Sequence, residues 1–257
     1  MKLFDTHAHY DDRQFKDDAD SVLEGMPEKD IALIINAGTT LKTSRESVRL
    51  AQRYPFVYAA VGIHPHNAKD LSDQLLCSIK ELAQSEKKVV AIGEIGLDYH
   101  YDFSKREDQI KCFYKNMELA RDLKLPVIIH EREAPQDCFE CVKSFDNIGV
   151  YHCYSGSLEM AKEILKIGYY ISFTGAITFK NAKKALEVVK WAPMDRIMIE
   201  TDSPYMAPEP FRGQRCDSSL VSLIADKIAE IKGISSESVA EITLKNGMTL
   251  FNIKKSD

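Results

Sequence analysis

The chain has 257 residues, 44% of them hydrophobic and 28% charged, which is ordinary globular composition with length enough for a large core. Its formal net charge of −5 excludes a generally basic surface, so any polyanion must be held by a local patch or by bound cations. No apolar segment is long enough to span a membrane and no signal-peptide core precedes the first motif, so a cytoplasmic protein with six reduced cysteines is expected.

The first apolar run ends in Asp5-Thr6-His7-Ala8-His9. A strand over 2–9 turns His7 and His9 to the same face, where two imidazoles can chelate one metal ion. An acidic loop over 10–20 leads to a short helix. The continuous apolar run 31–38, closed by Gly38, suits a strand buried on both faces. Thr43 and Glu46 have capping-box spacing and predict a helix from there to about residue 54. Run 56–63 ends in His64-Pro65-His66, and a helix follows over 71–85. Run 89–96 carries Glu94. Ser104 and Glu107 repeat the capping-box spacing, and Ile110, Phe113, Met117 and Ala120 mark one face of the next helix.

Run 126–130 ends in His130, and a helix reaches about residue 145. Within it Cys138 and Cys141 stand three apart, the spacing of a packed helix face, which weighs against a redox or zinc role. Run 149–154 carries His152, and Ser157 is placed to cap a helix ending near Gly168. Run 169–175 is followed by a helix over 182–191, and run 196–202 ends in Asp202. A loop rich in Pro, Arg and Gly covers 203–217, and helices over 218–232 and 236–251 finish the chain.

Eight apolar runs alternating with helices imply parallel strands joined by right-handed crossovers. No G-x-G-x-x-G follows the first run, which removes the main reason to prefer an open dinucleotide-binding sheet. The expected fold is therefore α/β, a single (β/α)8 TIM barrel with an extra C-terminal helix, forming one domain over 1–257.

His7, His9, His64, Glu94, His130, His152 and Asp202 all fall at run ends, and in a barrel those ends open onto one face. A strand cap or a loop hydrogen bond explains any one of them but explains the set poorly. Two carboxylates beside several imidazoles in a partly dry pocket call for a divalent cation. Even six of these as ligands exceed the need of one tetrahedral ion, so two ions roughly 3.5–4 Å apart and sharing a carboxylate fit better.

Asp5 to His9, Gly62 to His66, Gly93 to Tyr99 (G-E-I-G-L-D-Y), Ile129 to Ala134, His152 to Gly156 and Glu200 to Arg215 together resemble the TatD family of metal-dependent hydrolases. The resemblance implies that His7, His9 and Asp202 hold one metal, that His130 and His152 hold the second, and that Glu94 bridges them. One departure is Glu131-Arg132-Glu133, where the family usually has Ser-Arg-Asp; it adds negative charge near the mouth. The implied activity is deoxyribonuclease cleavage of phosphodiester bonds, exonucleolytic on single-stranded DNA or ends, by a metal-activated water that Asp202 orients and deprotonates. A D-aminoacyl-tRNA deacylase or a small-molecule ester or amide hydrolase would use the same site. Mg²⁺, Mn²⁺, Zn²⁺, Co²⁺ and Fe²⁺ all suit the mixed donors. DNA is the expected partner, with no membrane and no obligate protein partner.

Around these ligands, Glu200 is expected to support a ligand histidine from one layer deeper. Arg212 and Arg215 sit in the loop after the last run, the usual side for phosphate. Arg132, His64 and His66 are further substrate contacts, and Tyr99 and His100 are candidates to stack on a base. Cys153 is expected to pack rather than to ligate.

Overall fold

The structure, a computed structural model, describes residues 1–254. Eight strands alternate with helices in the order β1 (Leu3–Ala8), α1 (Ala19–Glu24), β2 (Ile31–Ala37), α2 (Leu41–Arg53), β3 (Val57–Val61), α3 (Asp73–Ser85), β4 (Val89–Asp98) and α4 (Arg106–Leu123). The second half runs β5 (Val127–Arg132), α5 (Pro135–Lys143), β6 (Gly149–Tyr151), α6 (Leu158–Lys166), β7 (Tyr170–Phe173), α7 (Lys183–Trp191), β8 (Ile197–Ile199), α8 (Val221–Lys232) and α9 (Ser236–Leu250). The sheet keeps chain order from β1 to β8. The architecture is thus a (β/α)8 TIM barrel with α9 as the extra C-terminal helix.

The described backbone clusters into two compact units, residues 1–36 with 153–254, and residues 37–152. In the first, β7 and β8 pair in parallel with Phe173 opposite Ile199, and β1 pairs with β2 with Asp5 opposite Ile34. Helix α9 packs on β1 and β8: Gly247 lies so close to the Phe4 ring that an added Cβ would come within 2.6 Å of it. Asn246 donates from Nδ2 to the carbonyls of Met194 and Ile197, both at 2.8 Å.

In the second unit, β3 to β6 are parallel, with Ile95 opposite Ile129 and Gly96 opposite His130. All ten residues of β4 are buried, the charged Glu94 and Asp98 among them. Gln109 on α4 stitches the end of β4 to the following loop. Its Oε1 accepts from the Asp98 N–H at 2.8 Å, and its Nε2 donates to the Asp98 and Ser104 carbonyls.

Two helix starts differ from the sequence expectation. Helix α2 begins three residues early: Thr40 is its N-cap, and Thr43 is the residue that answers back in the capping box. Glu46 instead pairs with Arg49 at 2.6 Å. Ser104 does not cap α4; its hydroxyl accepts from the Lys69 N–H and donates to the His66 carbonyl, tying two loops together. Ser157 caps α6 as expected, accepting from the Met160 N–H. The sixth and eighth strands are shorter than their apolar runs: β6 ends before Cys153, which takes a left-handed φ of 46°, and β8 ends at Ile199, although Asp202 (φ 59°) and Ser203 still bond to the end of β1.

Candidate metal centre

The first cluster lies in the first unit. Strand alternation carries His7 and His9 to one face, with Nε2 of one ring 3.0 Å from Nε2 of the other. Asp202 reaches the same point, its Oδ1 3.8 Å from His7 Nε2 and 3.6 Å from His9 Nε2. Two backbone bonds fix this meeting: the Asp202 N–H donates to the His7 carbonyl at 2.9 Å and the His9 N–H to the Ser203 carbonyl at 2.7 Å.

Asp5, two residues before His7 and fully buried, holds the frame. Its carboxylate accepts from the Thr201 N–H at 2.8 Å and from the Thr201 and Ser218 hydroxyls at 2.6 Å each. Burial pushes its carboxyl up to about 7, against the pull of these donors. Asn36 fixes the loop beyond His9, accepting from the Tyr10 N–H at 2.6 Å and donating to Asp11 at 2.7 Å.

The second cluster lies in the second unit and centres on Glu94. Its Oε1 is 2.8 Å from His130 Nδ1, 2.9 Å from His152 Nε2 and 3.3 Å from His64 Nε2. Burial alone would raise the Glu94 carboxyl, but His64, His152 and His130 hold it well below the usual carboxylate range. Burial pushes the His64 imidazole down to about 4, which keeps it neutral and able to donate a lone pair.

The far nitrogen of His130 meets a carboxylate that the sequence reading missed. Asp98 Oδ2 lies 3.1 Å from His130 Nε2 and 2.9 Å from His66 Nε2. Burial opposes charge on His130, yet Asp98 and Glu94 outweigh it and raise the imidazole. A signal for Asp98 was present: in a strand, 94, 96 and 98 share a face. The expected run stopped at 96, before the last turn of that alternation. Asp5 carried the same signal, two residues before His7.

The donor chemistry fits divalent ions. A tetrahedral ion with bonds of roughly 2.0–2.2 Å needs ligand atoms about 3.4 Å apart. The His7–His9–Asp202 separations bracket that value, and a carboxylate at 3.6–3.8 Å is too far for a direct hydrogen bond. The ligand atoms of His64, Glu94 and His130 likewise all lie within 4.8 Å of one another. An imidazole between a ligand position and a carboxylate, as His130 is between Glu94 and Asp98, has the arrangement that orients metal-bound histidines.

The expected supporting residues divide. Glu200 is buried, but the bonds seen at its carboxylate come from the Cys153 N–H and the Ser172 hydroxyl, both at 2.6 Å, and from Thr6 at 3.4 Å. It therefore anchors the turn that follows His152. Arg215 is engaged by Asp18 through two bonds of 2.8 and 2.6 Å and by the Gln14 carbonyl. Arg212 is exposed and lies over the Phe179 ring at 4.2 Å. Arg132 is exposed over Tyr101. Tyr99 is bonded to Asp137 and His100 to Glu133, each at 2.7 Å. Cys138 and Cys141 are buried on α5, their thiols pushed up by burial, as packing residues are.

Comparison with known proteins places this geometry in a family. An uncharacterised metal-dependent hydrolase of Bacillus subtilis, YabD, is 43% identical over 254 residues, covering 98% of this chain and 99% of its own. The crystal structure of the TatD homologue YjjV of Escherichia coli superposes with a TM-score of 0.92 at 31% identity, covering 98% of both chains. A TatD-family hydrolase of Entamoeba histolytica superposes with a TM-score of 0.89 at 25% identity, covering 97% of this chain and 98% of its own. The model of the TatD-related DNase family matches residues 4–252, and this chain belongs to that family.

Proposed function

We propose that the chain is a divalent-metal-dependent hydrolase that cleaves DNA phosphodiester bonds, acting on single-stranded DNA or ends. The observations that carry the reading are the convergence of three imidazole nitrogens on one oxygen of Glu94 and, separately, a His7–His9–Asp202 set at ligand spacing. Membership of a family described as TatD-related DNases supports the choice of substrate, and YabD and YjjV support metal-dependent hydrolysis.

In this reading His7, His9 and Asp202 hold one ion, and Glu94, His130 and His152 the other, with His64 close enough to join them. Bound divalent ions lower the pKa of water and neutralise charge on the phosphoryl oxygens. Asp202 is the most open member of its cluster, its side chain 15% exposed, so it orients the attacking water and takes its proton. The water oxygen bonds to phosphorus, the phosphoester P–O bond breaks, and the departing sugar oxygen takes up a proton. His66 reaches the opening through its bond to Asp98 and contacts the strand. Arg212 is better placed for phosphate than Arg215, whose fork is already filled by Asp18.

The test is metal-reconstituted protein, beside Asp202→Asn, on 3′-labelled and 5′-labelled single-stranded DNA. Metal-dependent cleavage lost in the variant is expected, and the ladder shows which end is attacked. No cleavage with Mg²⁺, Mn²⁺, Co²⁺ or Zn²⁺ would move the reading to ester substrates, D-aminoacyl-tRNA first.

A further inference from the structure

Two half-exposed aromatic rings stand beside the second cluster. Tyr101 is 48% exposed and Phe103 58%. Their rings are parallel to within 6°, with centroids 5.3 Å apart. Asp102 between them takes a left-handed φ of 49°, and Arg106 reaches its carboxylate. The pair is tied to the candidate metal centre. Asp98 Oδ1 accepts from the Tyr101 N–H at 2.9 Å, while its Oδ2 faces His66 and His130. The His66 ring meets Phe103 edge-to-face at 4.8 Å. The Arg132 guanidinium lies 4.7 Å from the Tyr101 ring centre.

We propose that Tyr101 and Phe103 form a stacking step for one nucleobase of the single-stranded substrate, with Arg132 facing the adjoining phosphate. Every base presents a π-face, so such a step grips a strand without choosing its sequence. A chain of net charge −5 cannot hold DNA by its general field, and a local cation next to stacked rings supplies the missing grip. The inference rests on the nuclease reading and names how that site engages its strand.

Binding of a short fluorescein-labelled oligodeoxynucleotide is measured in the Asp202→Asn background, which does not cleave, for Phe103→Leu, Tyr101→Leu and Phe103→Trp. Loss of either ring weakens binding about ten-fold, and tryptophan restores it. With Asp202 intact, KM rises by the same factor while kcat moves far less. An abasic site moved along the strand locates the stacked base: at that position wild type loses about ten-fold and Phe103→Leu loses nothing more. Equal losses on intact and abasic strands overturn the stacking step, because the effect is then structural. Wild-type cleavage unchanged by all three substitutions overturns the step and leaves the nuclease reading standing. Neither binding nor cleavage by wild type overturns both. A concentration-dependent dimer lost in Phe103→Leu, with binding unaffected, assigns the rings to a second copy and also overturns the step.

Discussion

Asp98 accepts from four sides at once. The His100 and Tyr101 N–H groups reach its Oδ1 at 3.0 and 2.9 Å, and the His66 and His130 rings reach its Oδ2. Burial would raise its carboxyl, yet His130, the Tyr101 N–H and His66 together lower it below the usual range. It stays ionised, and in the proposed site a fixed negative charge behind His130 would make that imidazole a stronger ligand on its other side. Asp98→Asn keeps the shape and removes the charge. Metal affinity should fall about 10–100-fold, measured by titration calorimetry with Mn²⁺. Unchanged affinity would reduce Asp98 to a loop anchor. Five of the seven histidines were legible as a set because they recur at run ends, but the partner of each was not. Asp98 lies 32 residues from both His66 and His130, and no local pattern reports a bond across that distance.

At the scale of the element, β4 shows how backbone choice places side chains. Gly96 has φ 145°, and a Cβ there would collide with the His130 carbonyl oxygen on the neighbouring strand. The close approach sets Glu94 and Asp98 on either side of the His130 ring. Gly96→Ala should lose roughly 2–6 kcal/mol from backbone strain and overpacking, measured as a shift in urea midpoint. Gly213→Ala is the control: its φ is 86°, but nothing lies within 4 Å of an added Cβ, so only the backbone term applies.

The helix starts make the same point from the other direction. Two residue pairs, Thr43 with Glu46 and Ser104 with Glu107, carry capping-box spacing, and at neither does the predicted residue cap the helix. Thr40→Ala should cost about 1 kcal/mol by the loss of the true α2 cap, read in the same denaturation. The spacing names residue types that suit a cap; which threonine serves depends on where the preceding strand releases the chain.

For the whole molecule, the proposed site presents in the folded chain candidate ligand clusters that the unfolded chain lacks, so added metal is expected to stabilise it. At about 100 times Kd a single ion adds about 2.7 kcal/mol. In a protein of this size that raises Tm by roughly 5–10 °C. Calorimetry with Mn²⁺ and then with excess EDTA checks this, and Asp202→Asn should narrow the difference. An identical Tm under both conditions would argue that no ion is held. Among the described residues no helix is long and apolar enough to cross a membrane.

From the sequence by itself came the eight-fold alternation, the barrel, its extra helix, the family and the candidate ligand residues. These rest on short-range facts: apolar runs with a period, motifs of adjacent residues, and alternation that puts His7 and His9 on one face. Only the tertiary structure decided the rest. It turned Glu200 toward the Cys153 turn, filled the fork of Arg215 with Asp18, and bonded Tyr99 to Asp137 and His100 to Glu133. Each of those outcomes depends on which buried or charged group lies across a gap from strands and loops far apart in the chain. Hydrogen bonds and ion pairs act over about 3 Å in space, whereas sequence periodicity reports only the few residues on either side.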